Sequence, residues 1–114
     1  MLRAQAPGRV VEEIFRHGRR YSSSKITVLV CDGDSFDPPA GLVAAIAGRK
    51  IGGAVIRNRA KRVIKEAVRL SGGPWGGFRI AIIARHSLEN TTPSEVASQL
   101  SGILRKSQVD RGPL

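Results

Sequence analysis

The segment GGAVIRNRAKRVIKEAVR, residues 52–69, has the hydrophobic period of an α-helix. At about 100° per residue, its apolar and basic residues separate onto opposite sides. The apolar side consists of Ile56, Ala60, Val63, Ile64, Ala67, Val68 and Leu70. The opposite side carries Asn58, Lys61, Arg62, Lys65 and Arg69, with Arg57 and Arg59 on the two flanks. The pattern predicts a helix that packs one face on a sheet and presents a cationic face outward.

The cationic face is costly for a helix that contacts only solvent. Residues 49–69 hold eight basic residues and one acid, Glu66, whose expected partner is Arg62. Like charges four residues apart destabilise a helix, and cations in its first turn oppose the dipole by roughly 0.3–1 kcal/mol each. Bound phosphates would relieve both penalties, so the segment predicts a polyanion partner. Asn58 has two open interpretations, as the helix N-cap or as an amide donor to RNA.

The flanking segments predict an α+β two-layer sandwich in the order α-β-β-α-β-α, with room for one extra short strand. A short helix is expected over 8–18, strands over 25–31, 42–47 and 78–84, and a last helix from the capping box Thr92-Pro93-Ser94-Glu95. The first two strands are expected to form a hairpin, and the third to be central. The alternate face of the first strand, with Thr27, Leu29 and Cys31, is too apolar for solvent and predicts a covering element.

Composition limits the class of protein. The 114 residues fit one domain, 1–114, in which residues 1–7 and 107–114 are expected to be flexible. The net charge of +10 indicates nucleic acid as the first candidate partner. No apolar run approaches the roughly 20 residues of a membrane span, and no apolar signal core is present. The single cysteine, Cys31, is consistent with a reducing cytoplasm.

No protein-borne catalytic or metal site is expected. His17 and His86 lack partners at metal-ligand spacing. The loop acids Asp32, Asp34 and Asp37 lack the glycine and terminal glutamate of a calcium loop. Trp75, in a glycine-rich loop, has two open interpretations: stacking on a base, or docking onto the edge of its own domain.

At residues 50–69, KIGGAVIRNRAKRVIKEAVR closely resembles the signature of the protein subunit of bacterial ribonuclease P. That signature has a lysine-rich, glycine-containing approach, Ala-Val, an Arg-Asn-Arg core, Lys-Arg and a basic amphipathic helix. IFRHGRR (14–20) and IAIIAR (80–85) resemble the family's first helix and a later strand more loosely. The resemblance implies a protein that binds a catalytic RNA, which with its Mg²⁺ ions removes the 5′ leader of precursor tRNA. It also implies a left-handed β-α-β crossover, against the general rule.

The resemblance further implies which residues bind which RNA. Contacts to the catalytic RNA fall on Arg49, Lys50, Arg57, Asn58, Arg59, Lys61, Arg62, Lys65 and Arg69. A cleft between the first helix and the sheet, with Val11, Phe15 and Leu29, would hold the leader. Val11 and Leu29 stand where further aromatics are expected, which predicts weaker stacking on leader bases.

The chain would then be an endoribonuclease only as a ribonucleoprotein subunit. We expect one protein per RNA, in the cytoplasm, with no membrane contact and with Mg²⁺ held through the RNA. The alternative is a general RNA-binding or ribosomal protein without a role in cleavage. A KH module is disfavoured because Gly52 and Gly53 are adjacent, and an RRM because aromatics make up only 4% of the chain.

Overall fold

The computed structural model describes residues 8–32 and 41–107. The elements are α1 (Gly8–His17), β1 (Arg19–Ser22), β2 (Ile26–Asp32), β3 (Leu42–Ile46), a 3₁₀ turn (Arg49–Ile51), α2 (Ala54–Leu70), β4 (Phe78–Ala84) and α3 (Pro93–Ser107). The predicted α+β class and element order are confirmed, and β1 is the extra short strand. Of the segments predicted to be flexible, 1–7 and 107–114, all residues except Ser107 lie outside the described residues, as do Asp34 and Asp37. Ser107 is described: it is buried and ends α3.

The four strands form one sheet in the order β1-β2-β4-β3. The predicted central position of β4 is confirmed, since β4 pairs antiparallel with β2 and parallel with β3. The predicted hairpin of the first two long strands is wrong, because β4 lies between β2 and β3. Six of the seven residues of β4 are buried, as expected of a strand whose two faces are both covered by helices. The segment from β3 through α2 to β4 is the predicted β-α-β crossover; its left-handedness stays an expectation from the resemblance.

The larger core lies between the sheet and the pair α2 and α3. Ile64 and Val68 of α2 and Leu100 of α3 are fully buried against strand residues such as Ile80 and Ile82. The predicted cap of α3 is confirmed, because the Thr92 hydroxyl oxygen accepts the Glu95 backbone N–H at 3.2 Å. Trp75 packs against this core, which favours the interpretation that it docks onto its own domain.

A smaller core lies on the other face of the sheet, under α1. Ile14 is fully buried there against Leu29, Cys31, Leu42 and Ala81. The prediction that this face is covered is therefore confirmed. Burial, with a smaller contribution from the neighbouring Asp32 charge, raises the pKa of the Cys31 thiol. The helix ends where the Gly18 backbone N–H donates to the Ile14 carbonyl oxygen at 2.7 Å.

Candidate nucleic-acid interface

The start of α2 sets the direction in which its side chains point. Gly53 is the N-cap and makes no side-chain cap, and the Arg57 N–H donates the first helical hydrogen bond to its carbonyl oxygen at 2.9 Å. Asn58 lies one turn inside the helix and is exposed, so its interpretation as the N-cap is wrong. The N-cap interpretation fails because Ala54, Val55 and Ile56, which precede Asn58, are already helical. No acid occupies the first turn.

The basic residues predicted to bind RNA lie on α2 and on the 3₁₀ turn packed against it. Those that are exposed are Arg49, Lys50, Asn58, Arg59, Arg62 and Arg69, and those that are partly buried are Arg57, Lys61 and Lys65. Within the described residues, Glu66 is the only acid of this surface. The structure therefore brings the predicted cations together on one side of the molecule.

The single acid of α2 pairs with a residue that the sequence did not indicate. Both oxygens of the Glu66 carboxylate accept N–H groups of Arg69, at 2.9 Å for Nε and with a shorter contact for the second nitrogen. The hydrogen bond from Arg69 lowers the pKa of Glu66 and raises the pKa of Arg69. The predicted pair of Glu66 with Arg62 is wrong, since the planar fork of Arg69 engages the carboxylate at both oxygens. Arg69 is accordingly the most neutralised of the predicted RNA contacts.

The two flanking arginines have different surroundings. Arg59 donates a guanidinium N–H to the Glu89 carbonyl oxygen at 3.1 Å, in the loop before α3. Arg57 is partly buried, and its Nε–H has no acceptor among the described residues. A buried donor without an acceptor costs about 1–3 kcal/mol, so the chain by itself leaves Arg57 incompletely satisfied.

Arg59 also borders a pocket that the sequence analysis did not find. The pocket has a volume of 520 Å³ and lies between α2 and the segment 89–93. Its polar lining comes from Arg59, Arg62, Glu89, Asn90, Thr91 and Thr92. One wall of the pocket is α2, and the second wall is the segment 89–93, about thirty residues later in the sequence. Because the second wall is nearly uncharged, no local pattern in the sequence indicated the pocket.

The predicted leader cleft is only partly a surface. Phe15 is 52% exposed and lines a pocket of 440 Å³ with Val11, Glu12 and Arg16. Leu29 is 5% exposed and packs under α1, so it supports the helix and does not face the cleft. Its buried position follows from its pairing beside Ala81 in the middle of the sheet.

The sheet offers other apolar residues on this face. Strand pairing aligns Thr27, Ile83 and Ile46 across β2, β4 and β3. This row lies two residues along the strands from Leu29 and Ala81, in the direction opposite to Cys31. Ile46 and Ile83 are only partly buried. The sequence signal that could have found them is the period-2 alternation of β3 and β4.

Neither a group of three or more metal-ligating side chains nor a helix able to cross a membrane occurs in residues 8–32 and 41–107. His17 lies 3.5 Å from the Glu13 carboxylate on α1, and a ring nitrogen of His86 lies 3.1 Å from the Ser24 carbonyl oxygen.

Comparison with known proteins agrees with this geometry. A sequence model of the ribonuclease P family matches residues 10–108. The chain belongs to the ribonuclease P protein family. It is 33% identical over 95 residues to the ribonuclease P protein component of Syntrophus aciditrophicus, an overlap that covers 82% of this chain and 77% of the relative.

Solved structures of ribonuclease P proteins share the fold. The protein from Staphylococcus aureus superposes with a TM-score of 0.74 at 22% identity, covering 91% of this chain and 94% of its own. The protein from Thermotoga maritima gives a TM-score of 0.73 at 26% identity, covering 91% and 97%. As a member of the ribonuclease P protein family, the chain is a subunit of an RNA-based endoribonuclease of tRNA 5′ maturation, and ribonuclease P RNA is its partner. These comparisons give no support to a general RNA-binding or ribosomal role.

Proposed function

We propose that the cationic side of α2 docks on ribonuclease P RNA while α1 and the adjoining sheet hold the 5′ leader of precursor tRNA. The observation that carries the proposal is the arrangement on α2 and the 3₁₀ turn, where eight basic residues face one acid and that acid is engaged by Arg69. One protein binds one RNA, and the complex acts in the cytoplasm.

Phosphate contacts explain the composition of α2. Neutralising RNA phosphates releases counterions, which favours binding and makes it salt-dependent. Phosphates beside Arg57, Lys61 and Lys65 would replace the like-charge repulsion along that row with attraction. Arg69 contributes less, because Glu66 already neutralises its charge.

The leader site follows from the two flanks of α1. On one flank, the Glu13 carboxylate lies 3.5 Å from His17. On the opposite flank, Val11 and Phe15 line one pocket. The sheet face under α1 includes the partly buried Ile46 and Ile83. An extended strand would meet the Phe15 ring on one side and an apolar sheet surface on the other.

Residues of this chain hold and orient RNA in the proposal, and the bond is broken on the RNA. Mg²⁺ bound through the RNA would supply the Lewis-acid chemistry of phosphodiester cleavage. The cations of α2 reduce the repulsion between RNA phosphates, so less Mg²⁺ is needed to fold the complex and to hold the leader.

Replacing Phe15 by alanine tests the leader site. In the holoenzyme reconstituted with ribonuclease P RNA, F15A should weaken precursor-tRNA binding by about tenfold, since stacking contributes roughly 1–3 kcal/mol per base. Binding of mature tRNA, which lacks the leader, should not change. The reverse variant Val11→Phe adds a ring at the same pocket and should strengthen precursor binding. Dissociation constants for the two tRNAs measure both effects.

Leu70→Ala is the matched control, because Leu70 is a similarly exposed apolar residue, at 49%, on the far end of α2. It should leave both constants unchanged. If F15A keeps the wild-type preference for precursor over mature tRNA, α1 does not contact the leader.

A further inference from the structure

We propose that the pocket between α2 and the segment 89–93 binds a nucleotide of the partner RNA by its phosphate, so that the RNA interface continues from α2 onto the start of α3. This inference rests on the proposed function, because ribonuclease P RNA supplies the nucleotide. It adds the second wall, with Asn90 and Thr92, to an interface otherwise confined to α2 and the 3₁₀ turn.

Two guanidinium groups give the pocket its charge. The hydrogen bond of 3.1 Å to the Glu89 carbonyl oxygen holds Arg59 against the second wall. A guanidinium has five N–H donors, so this bond leaves others available to a ligand. Arg62, three residues later on α2, lines the same pocket. Paired arginines suit phosphate because each can donate two parallel hydrogen bonds to its oxygens.

The volume indicates more than a phosphate group. Small-molecule sites in proteins generally occupy about 300–1,000 Å³. The 520 Å³ of this pocket lies inside that range and leaves room for a ribose or base beside the phosphate. The Asn90 amide and the Thr92 hydroxyl are neutral donors of the kind that contact phosphate and sugar oxygens.

The second wall contributes polarity and one opposing charge. The Thr92 hydroxyl oxygen already accepts the Glu95 N–H, so the attraction for an anion comes from the two arginines. The exposed Glu89 side chain also lines the pocket, and its carboxylate repels a phosphate. Its backbone carbonyl, in contrast, positions Arg59. The two roles of Glu89 can be separated by changing only its side chain.

Thr92 allows a charge to be added to the pocket without loss of the helix cap. Asp, Asn and Thr all cap helices well, so Thr92→Asp and Thr92→Asn preserve the capping function. T92D should weaken binding of ribonuclease P RNA by about tenfold and T92N by less than about twofold, as expected when one phosphate contact is opposed. Ser98→Asp adds the same charge at an exposed position of α3 that does not line the pocket. With a Debye length of about 8 Å at 0.15 M salt, S98D should change binding by less than about twofold.

Glu89→Gln provides a gain-of-function test that does not depend on the behaviour of T92D. It removes the opposing charge, keeps the carbonyl that holds Arg59, and should tighten RNA binding by about threefold. Thermal unfolding of each variant checks that the fold is retained. If wild-type protein binds the RNA but T92D matches S98D and E89Q gives no gain, the pocket inference is overturned and the proposed function stands. If wild-type protein does not bind the RNA, the proposed function fails first.

Discussion

Replacing Arg59 and Lys61 together by alanine will weaken binding of ribonuclease P RNA by about 100-fold, which corresponds to about 2.7 kcal/mol. Each charge-assisted contact to phosphate contributes roughly 1.5–3 kcal/mol, and the two losses need not add fully. The slope of log K against log salt should flatten by about 1.5–2 units, because two fewer counterions are released. Filter binding or fluorescence anisotropy across a salt series measures both quantities.

The matched control removes two cations from the last turn of α3 instead of from α2. Arg105 and Lys106 are exposed in the last turn of α3, and their double alanine variant has the same net charge as the Arg59/Lys61 variant. It should retain nearly all of the RNA affinity and of the salt slope. Equal effects of the two double variants would mean that only the total charge matters and that α2 has no specific interface.

Replacing Gly41 by alanine will lower the free energy of unfolding by about 3 kcal/mol or more, combining a strained backbone with a steric clash. Gly41 has a φ of +88°, which side-chain-bearing residues adopt only at a cost. An added Cβ would stand 2.2 Å from the Trp75 carbonyl oxygen, and this neighbour is backbone that cannot rotate away. A loss of this size lowers the melting temperature by roughly 10–20 °C in a domain of this length.

Gly48→Ala is the matched control for this stability measurement. Gly48 has a φ of −78°, and an added Cβ there meets no atom within 4 Å. Its replacement should be neutral or stabilise by about 0.4–1 kcal/mol through a less disordered unfolded chain. A G41A variant that unfolds with the wild-type midpoint would contradict the close approach of Gly41 to the loop at Trp75.

Elements with a strong local pattern were predictable from the sequence. The apolar stripe of α2 continues to Leu70, and Thr92-Pro93 marks the start of α3. The strand β4 was predicted with its observed bounds, Phe78–Ala84, because its apolar run is flanked by glycines and by the polar pair Arg85 and His86. Local chemistry is enough to predict these four boundaries.

Pairing between distant segments was not predictable in the same way. β1 has four residues, RRYS, most of them exposed, so its apolar pattern is too weak to mark a strand. Its place is fixed by pairing with β2. The expected hairpin was wrong because proximity in sequence favours pairing of β2 with β3, whereas in the sheet β4 pairs with both and lies between them.

The candidate interface shows the same division. The basic face of α2 follows from helical period, but the partner of Glu66 does not, since Arg62 and Arg69 are both within reach of it along the helix. The position of Leu29 under α1 depends on how the helix crosses the sheet. The contact of Arg59 with Glu89 joins residues that no local pattern relates.

Reconstitution with RNA at low Mg²⁺ tests the central claim most directly. Wild-type protein is added to a bacterial ribonuclease P RNA, and release of the 5′ leader from precursor tRNA is followed on a gel, beside RNA alone and protein alone. We predict stimulation of at least about tenfold over RNA alone, lost progressively as salt screens the contacts of α2. We also predict no cleavage by the protein alone. Cleavage at the same rate with and without the protein would contradict the assignment of α2 as an RNA-docking surface that supports leader removal.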